Sequence, residues 1–247
     1  MVEKESGYAR RAGSRRERLR AELARDARLA AREIIATEGL AGLSLSGVAR
    51  RVGVSPPALY RYFDGRSGLV RALYDDLTAE IVAEITGASG RQDPDDFSAR
   101  LHAATRAVLD WSTANRAEFG LLMGGSFPRA DGESPDLGAR FTREVGAAFG
   151  RIFLELYASG GLECRADSGI RPRLRRQLRV YRDSLGLDLP LGVVLLMITC
   201  WRQIYGLVAM AVHEHLAFAF GDGDALFEEM IEDLLGTLGL TRSPRLR

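Results

Sequence analysis

Between Gly53 and Phe63 the chain reads GVSPPALYRYF. Arg61 carries a planar guanidinium, the one group in this run able to give two hydrogen bonds to a guanine edge. Ser55, Tyr60 and Tyr62 carry hydroxyls that suit phosphate oxygens. Pro56 and Pro57 stand just ahead of these groups. A helix leaves its first backbone N–H groups unpaired, so proline loses nothing there. If the helix starts at Pro56, Ser55 must cap it through the N–H of Ala58. A residue before proline disfavours helical angles, so the start one residue later stays open. Either way the prolines make a rigid apolar tip that can touch a thymine methyl in a groove.

A tip of this kind needs a second element to hold it. Leu59 and Phe63 lie four apart and share one buried face. Ahead of them Ser44 caps a short helix over Leu45–Val52, and Gly53 ends it. Short helix, tight turn, capped short helix is the pattern of a helix-turn-helix, whose second helix enters the major groove. The alternative is an ordinary helical corner with a solvated Tyr-Arg-Tyr face. Charge separates the two. Residues 1–71 hold fifteen Lys+Arg and eight Asp+Glu, a net of +7, whereas 72–247 hold nineteen and twenty-five, a net of −6. A basic front on an acidic body points to a polyanion partner. Arg10 to Arg20 form either a basic arm reaching an adjacent groove or a solvated tail.

Almost every other segment reads helical, and the expected fold class is all-α. Ser14–Glu38 is rich in Ala, Leu, Arg and Glu, with Gly39 as its stop. A long helix from Arg66 to Ile85 carries Leu69, Val70, Leu73, Leu77, Ile81 and Ile85 on one face. Ala88–Asp93 reads as a polar loop and Pro94 as a helix first turn. Further helices are expected over Phe97–Trp111, Arg116–Met123, Leu137–Ala158, Ile170–Leu185, Leu191–Phe220 and Asp224–Leu238, with a Gly/Pro/Ser loop over Gly124–Asp136. The chain divides into an arm (1–14), a DNA-binding part (15–66), a larger helical body (67–241) and a frayed tail (242–247). Leu189–Trp201 is too short for a membrane span, and Arg202 and Gln203 separate it from the apolar run that resumes at Ile204.

The segment LSLSGVARRVGVSPPALYRYFDGRSGLVRALY resembles the DNA-binding part of the tetracycline-repressor (TetR) family of bacterial regulators. The resemblance rests on Val48-Ala49, Gly53-Val54-Ser55, Leu59-Tyr60-Arg61-Tyr62-Phe63, Arg66 and Leu69, within about residues 28–74. Tyr62 stands where the family usually has histidine and Arg66 where it has lysine. The resemblance implies that Ser44, Ser55, Tyr60, Tyr62 and Arg66 hold phosphates, and that Ser46, Pro57, Ala58 and Arg61 face base edges. Late in the chain, CWRQIYGLVAMAVHEH is similar to a subgroup motif of Trp-x-x-hydrophobic-His-Gly, with Tyr205 in place of the histidine.

The family resemblance also implies an inducer pocket in the body, for which Trp111, Phe119, Met123, Phe149, Phe153 and Trp201 are the candidates. The same residues are equally what a helical core contains. It further implies a homodimer through the last two helices, where Gly206, Met230 and Leu234 are expected at the interface. The apolar lining suits a small apolar or amphipathic ligand. Cys164 and Cys200 show no pairing or metal pattern, and His213 and His215 fall on different sides of a helix, so no metal or cofactor is expected. No nucleophile–base pair or phosphate loop stands in 72–247, which argues against an enzyme. The expectation is a cytoplasmic repressor, released from an inverted-repeat operator in double-stranded DNA by a small molecule. The alternative is a regulator or activator that is constitutive or partner-controlled and has no inducer.

Overall fold

The computed structural model describes the backbone of residues 2–123, 136–215, 217–221 and 223–243, with side chains from residue 17 onward except 136. The expected loop at Gly124–Asp136, the arm's side chains and residues 244–247 of the tail therefore lie outside the described residues or at their edge.

Ten α-helices and one short 3₁₀ turn, with no strand, make up the described residues: α1 Val2–Gly42, α2 Leu45–Val52, α3 Pro56–Leu59, α4 Gly65–Gly90, α5 Phe97–Ala114, α6 Arg116–Met123, α7 Asp136–Ala158, α8 Pro172–Leu185, α9 Leu191–Val212 and α10 Asp224–Thr237. The all-α expectation holds. The chain forms two compact units, residues 1–77 and 78–247, so the division falls inside α4.

In the first unit, Ala27, Ala31, Ile34 and Ile35 of α1 meet Leu45, Val48 and Ala49 of α2, Leu59 of α3, and Leu69, Leu73 and Tyr74 of α4 in one buried core. Gly39 breaks α1 with a φ of 70° and a ψ of 176°, after which one more turn runs to Gly42. A left-handed φ of this kind suits glycine, which has no Cβ to clash.

In the second unit α9 packs against α5, α7, α8 and α10. Its length and composition would suffice to cross a membrane. Here it is the central helix, with Val193, Val194, Ile204 and Val208 buried.

Several expected boundaries change, the start of α1 among them, which lies at Val2 where Ser14 was expected. α4 continues through Ala88 and Ser89, both buried, where a polar loop was expected. Pro94 precedes the next helix instead of opening it; Asp96 caps α5 by accepting from the Ala99 N–H at 2.9 Å. α9 ends at Val212, eight residues before Phe220, because His213–Glu214 turn the chain. The start of the tail is fastened: Ser243 Oγ donates to Asp96 Oδ2 at 2.6 Å, and Arg242 pairs with Glu228 and Glu232.

Candidate nucleic-acid interface and ligand cavity

The helix-turn-helix assembles from local rules. Ser44 is extended, and its Oγ accepts the Gly47 N–H at 3.1 Å, which caps α2. Gly53, at φ 79°, gives its N–H to the Ala49 carbonyl and turns the chain. α3 then starts at Pro56, with prolines in its first two positions. The expected Ser55 cap does not form. Its hydroxyl makes no cap bond, and its carbonyl takes the Ala58 N–H at 2.9 Å instead. The cause is the proline pair, which removes the two nearest N–H groups and holds Ser55 extended at ψ 142°.

α3 is one turn long, shorter than the sequence suggested. Beyond Leu59 the Tyr62 and Phe63 N–H groups both reach the Leu59 carbonyl, at 2.9 and 3.0 Å, so the chain stays coiled to Phe63. Leu59 and Phe63 are buried, as their spacing requires. Pro56, Pro57, Tyr60 and Arg61 are exposed, Ala58 and Tyr62 half-buried. Ser44, Ser46 and Ser55 are exposed on the preceding elements. Among the described residues Arg61 has no hydrogen-bond or ion-pair partner. Arg51, on α2, is engaged by Glu33 at 3.0 Å.

Arg66, exposed and expected at a phosphate, makes two hydrogen bonds within the protein. Its Nε donates to the Leu43 carbonyl at 2.9 Å and its Nη2 to the Leu40 carbonyl at 2.7 Å. Leu40 is in the last turn of α1, where its carbonyl also takes the Leu43 N–H at 3.3 Å, and Leu43 is the first residue past that helix. The guanidinium ties the start of α4 to that end and so sets the corner on which α2 and α3 sit.

The second unit holds an apolar cavity of about 40 Å³ between α5, α7, α8, α9 and α10. Phe149, Phe153 and Trp201, three of the six candidates, line it together with Thr105, Tyr181 and Cys200. The other three candidates lie elsewhere. The Trp111 indole N–H donates to Glu80 Oε1 at 2.8 Å. Phe119 is fully buried, stacked 6.5 Å from Tyr205 and edge-on to His213 at 6.0 Å. The Met123 carbonyl accepts from the Tyr205 hydroxyl at 3.2 Å. Burial pushes the Cys200 thiol up to about 12 and raises the Tyr181 phenol above its ordinary value. Thr105 carried no signal in the sequence, because what distinguishes it is a hydrogen bond it does not make.

Of the three residues expected at a dimer interface, Gly206 and Met230 are half-buried on α9 and α10. Leu234 is 1% exposed and lines the cavity, so it belongs to the interior of the unit. Among the described residues no group of His, Cys, Asp and Glu could hold a metal ion.

Comparisons with known proteins agree on both units. Residues 29–73 match the model of bacterial regulatory proteins of the tetR family, and residues 101–234 match a tetracyclin repressor-like C-terminal domain. An HTH-type transcriptional regulator of Mycobacterium tuberculosis is 28% identical over 202 residues, 82% of this chain and 85% of the relative. The nucleoid occlusion factor SlmA of Pasteurella multocida is 31% identical over 117 residues, 47% of this chain and 54% of its own. Among solved structures, the regulatory protein SCO4313 superposes with a TM-score of 0.69 at 26% identity, over 89% of this chain and 98% of that one. A tetR-family regulatory protein from Rhodococcus RHA1 shares the fold, with a TM-score of 0.58 at 20% identity, over 89% and 98%.

Proposed function

The chain belongs to the TetR family of bacterial regulatory proteins and is a helix-turn-helix transcriptional regulator, and from this premise we propose that it is a repressor whose operator is released by a small molecule. The observation that carries the DNA side is the exposed, unpartnered Arg61 on a tip whose other face, Leu59 and Phe63, is buried. Arg61 reads a guanine, while Ser46, Pro57 and Ala58 meet neighbouring base edges. Ser44, Ser55, Tyr60 and Tyr62 hold phosphates.

One such tip makes too few contacts for tight binding, so two copies bind an inverted repeat. The half-buried faces of α9 and α10 around Gly206 and Met230 pair the copies. The cavity beside Phe149, Phe153 and Trp201 takes the inducer, and α4, which carries residues of both units, transmits its presence. Moving the protein from 99% to 1% binding-competent needs a ligand that prefers the released state by about 5.5 kcal/mol. The protein acts by binding, without catalysis or a cofactor, in the cytoplasm beside the chromosome.

The small volume of the cavity favours a second reading, in which no inducer exists and the regulator is constitutive or partner-controlled. Selection of bound sequences from a random duplex pool tests the first half of the proposal. The selected sites should form an inverted repeat, and Arg61→Ala should relax one base pair per half-site by about 1–3 kcal/mol. Equal weakening on selected and random DNA would make Arg61 a phosphate contact. Loss of binding to the selected site on adding a cavity ligand separates the inducible from the constitutive reading.

A further inference from the structure

We propose that the cavity admits an uncharged, mostly apolar ligand whose hydroxyl or carbonyl group pairs with Thr105 Oγ1. This inference rests on the reading of that cavity as the inducer site and narrows it to a ligand class.

The first observation is an unused hydroxyl. Thr37, Thr86, Thr113, Thr142, Thr199 and Thr237 also sit in helices, and each turns its Oγ1 onto the carbonyl four residues earlier. Thr105, in α5, does not. It is 1% exposed, lines the cavity, and its Oγ1 has no hydrogen-bond partner. A buried hydroxyl left unpaired costs stability, so its retention calls for a partner. Thr78 Oγ1 is likewise buried and unpartnered but does not line this cavity.

The second observation is the chemistry of the walls. Aliphatic and aromatic side chains supply most of the lining, and Thr105, Thr142, Tyr181 and Cys200 supply neutral polar groups. Burial raises both the thiol of Cys200 and the phenol of Tyr181, so each keeps its proton at neutral pH. Among the described residues the lining carries no formal charge. A carboxylate or ammonium entering here would lose its hydration and meet no counter-charge, a heavy cost.

The third is the way in. Thr142 is exposed, and Gly146, Tyr181 and Trp201 are half-buried, which puts the mouth between α7, α8 and α9. A Cβ at Gly146 would stand 2.5 Å from the Tyr181 hydroxyl oxygen. Glycine there keeps the phenol at the mouth. Met197, unbranched and adaptable, lines the cavity and can move to admit more than the resting volume holds.

The test compares 1-hexanol, hexanoate and hexylammonium at pH 7 on the full chain, by calorimetric titration and thermal shift. Hexanol should bind and raise the melting temperature, and the two ions should not. Thr105→Val keeps the shape without the hydroxyl and should weaken hexanol by about threefold to tenfold. Thr105→Ser restores a hydroxyl and should recover most of the loss, which separates pairing from altered packing. Hexanoate binding as well as hexanol, hexanol indifferent to Thr105→Val, or no probe binding at all would each overturn the inference. Operator release is read separately. Hexanol binding through Thr105 without loosening DNA would leave the ligand class standing and remove the inducer role. Release by hexanoate would do the reverse.

Discussion

Arg66 Nε lies 2.9 Å from the carbonyl oxygen of Leu43, and Nη2 of the same guanidinium lies 2.7 Å from that of Leu40. One side chain at the start of α4 therefore holds two carbonyls, one in the last turn of α1 and one just past it. The motif implied a phosphate contact at this position. The geometry gives it a positioning part as well, at the corner that carries α2 and α3.

Arg66→Ala should accordingly cost the fold about 1 kcal/mol in urea unfolding, since charged hydrogen bonds this exposed are partly screened. Operator affinity should fall for all sequences alike, with the salt dependence unchanged. A drop in the salt slope by about one unit per half-site would instead give Arg66 its phosphate.

Gly206 gives a test of assembly that the protomer alone supplies. It is in the interior of α9, and a Cβ built there meets no atom within 4 Å. Within one chain, Gly206→Ala should therefore stabilise the helix by about 0.5–1 kcal/mol. If a partner helix passes over this glycine, the added methyl should raise the dimer dissociation constant at the same time. Sedimentation equilibrium and urea unfolding should thus move in opposite senses. Met230→Glu should dissociate the dimer and lower operator affinity together. An unchanged dimer in both variants would move the interface off this face. Leu234 does not serve as a probe of the interface, because a charge there would disrupt the interior of the unit.

What could be read in advance was what short-range chemistry decides. Ser44 and Gly53 follow capping rules that involve neighbours three or four residues away, and both behave as their types predict. The spacing of Leu59 and Phe63 gave their burial for the same reason. The misreadings are non-local. Ala88–Asp93 read as a polar loop, yet burial of Ala88 and Ser89 carries α4 on to Gly90. Arg242 and Ser243 looked like free tail, yet Arg242 folds back onto Glu228 and Glu232 of α10, and Ser243 meets Asp96, the cap of α5, 147 residues away. Among the cavity candidates, nothing in the residue types separates Phe153, which lines it, from Phe119, which packs against Tyr205 and His213.

Two buried acids predict how stability falls at high pH. Burial pushes the Cys200 thiol from 9.0 up to about 12, and the Tyr74 phenol from 10.0 up to about 12. Each keeps its proton in the folded chain and loses it sooner when unfolded. Their contribution is therefore complete below pH 9 and is lost as the pH rises from 9 toward 12. Each group adds at most about 1.4 kcal/mol per pH unit to that decline. Cys200→Ala should flatten the loss between pH 9 and 10, before Tyr74 enters, in urea unfolding at stepped pH. Parallel declines for the two proteins would show that Cys200 ionises as easily in the fold as outside it.

The chain has two tryptophans, and they report on different places. Trp201 lines the cavity at its mouth, half-buried. Trp111 is tied through its indole N–H to Glu80 Oε1 and does not line that cavity. Indole emission responds to the polarity and contacts of its surroundings. A ligand entering between Phe149, Phe153 and Trp201 should therefore change the emission of Trp201 and leave that of Trp111 nearly untouched. In Trp111→Phe the full titration signal with 1-hexanol should survive; in Trp201→Phe it should vanish. The indole of Trp201 also supplies part of the wall, so Trp201→Phe should weaken binding as measured by calorimetry, and the two readouts must be compared. Phe153→Ala is a poorer probe, because Phe153 is 2% exposed and its removal should cost about 3–5 kcal/mol of stability. A hexanol response carried by Trp111 alone would place the ligand against the Glu80 side of the unit, and the cavity beside Phe149 would then be packing without a guest.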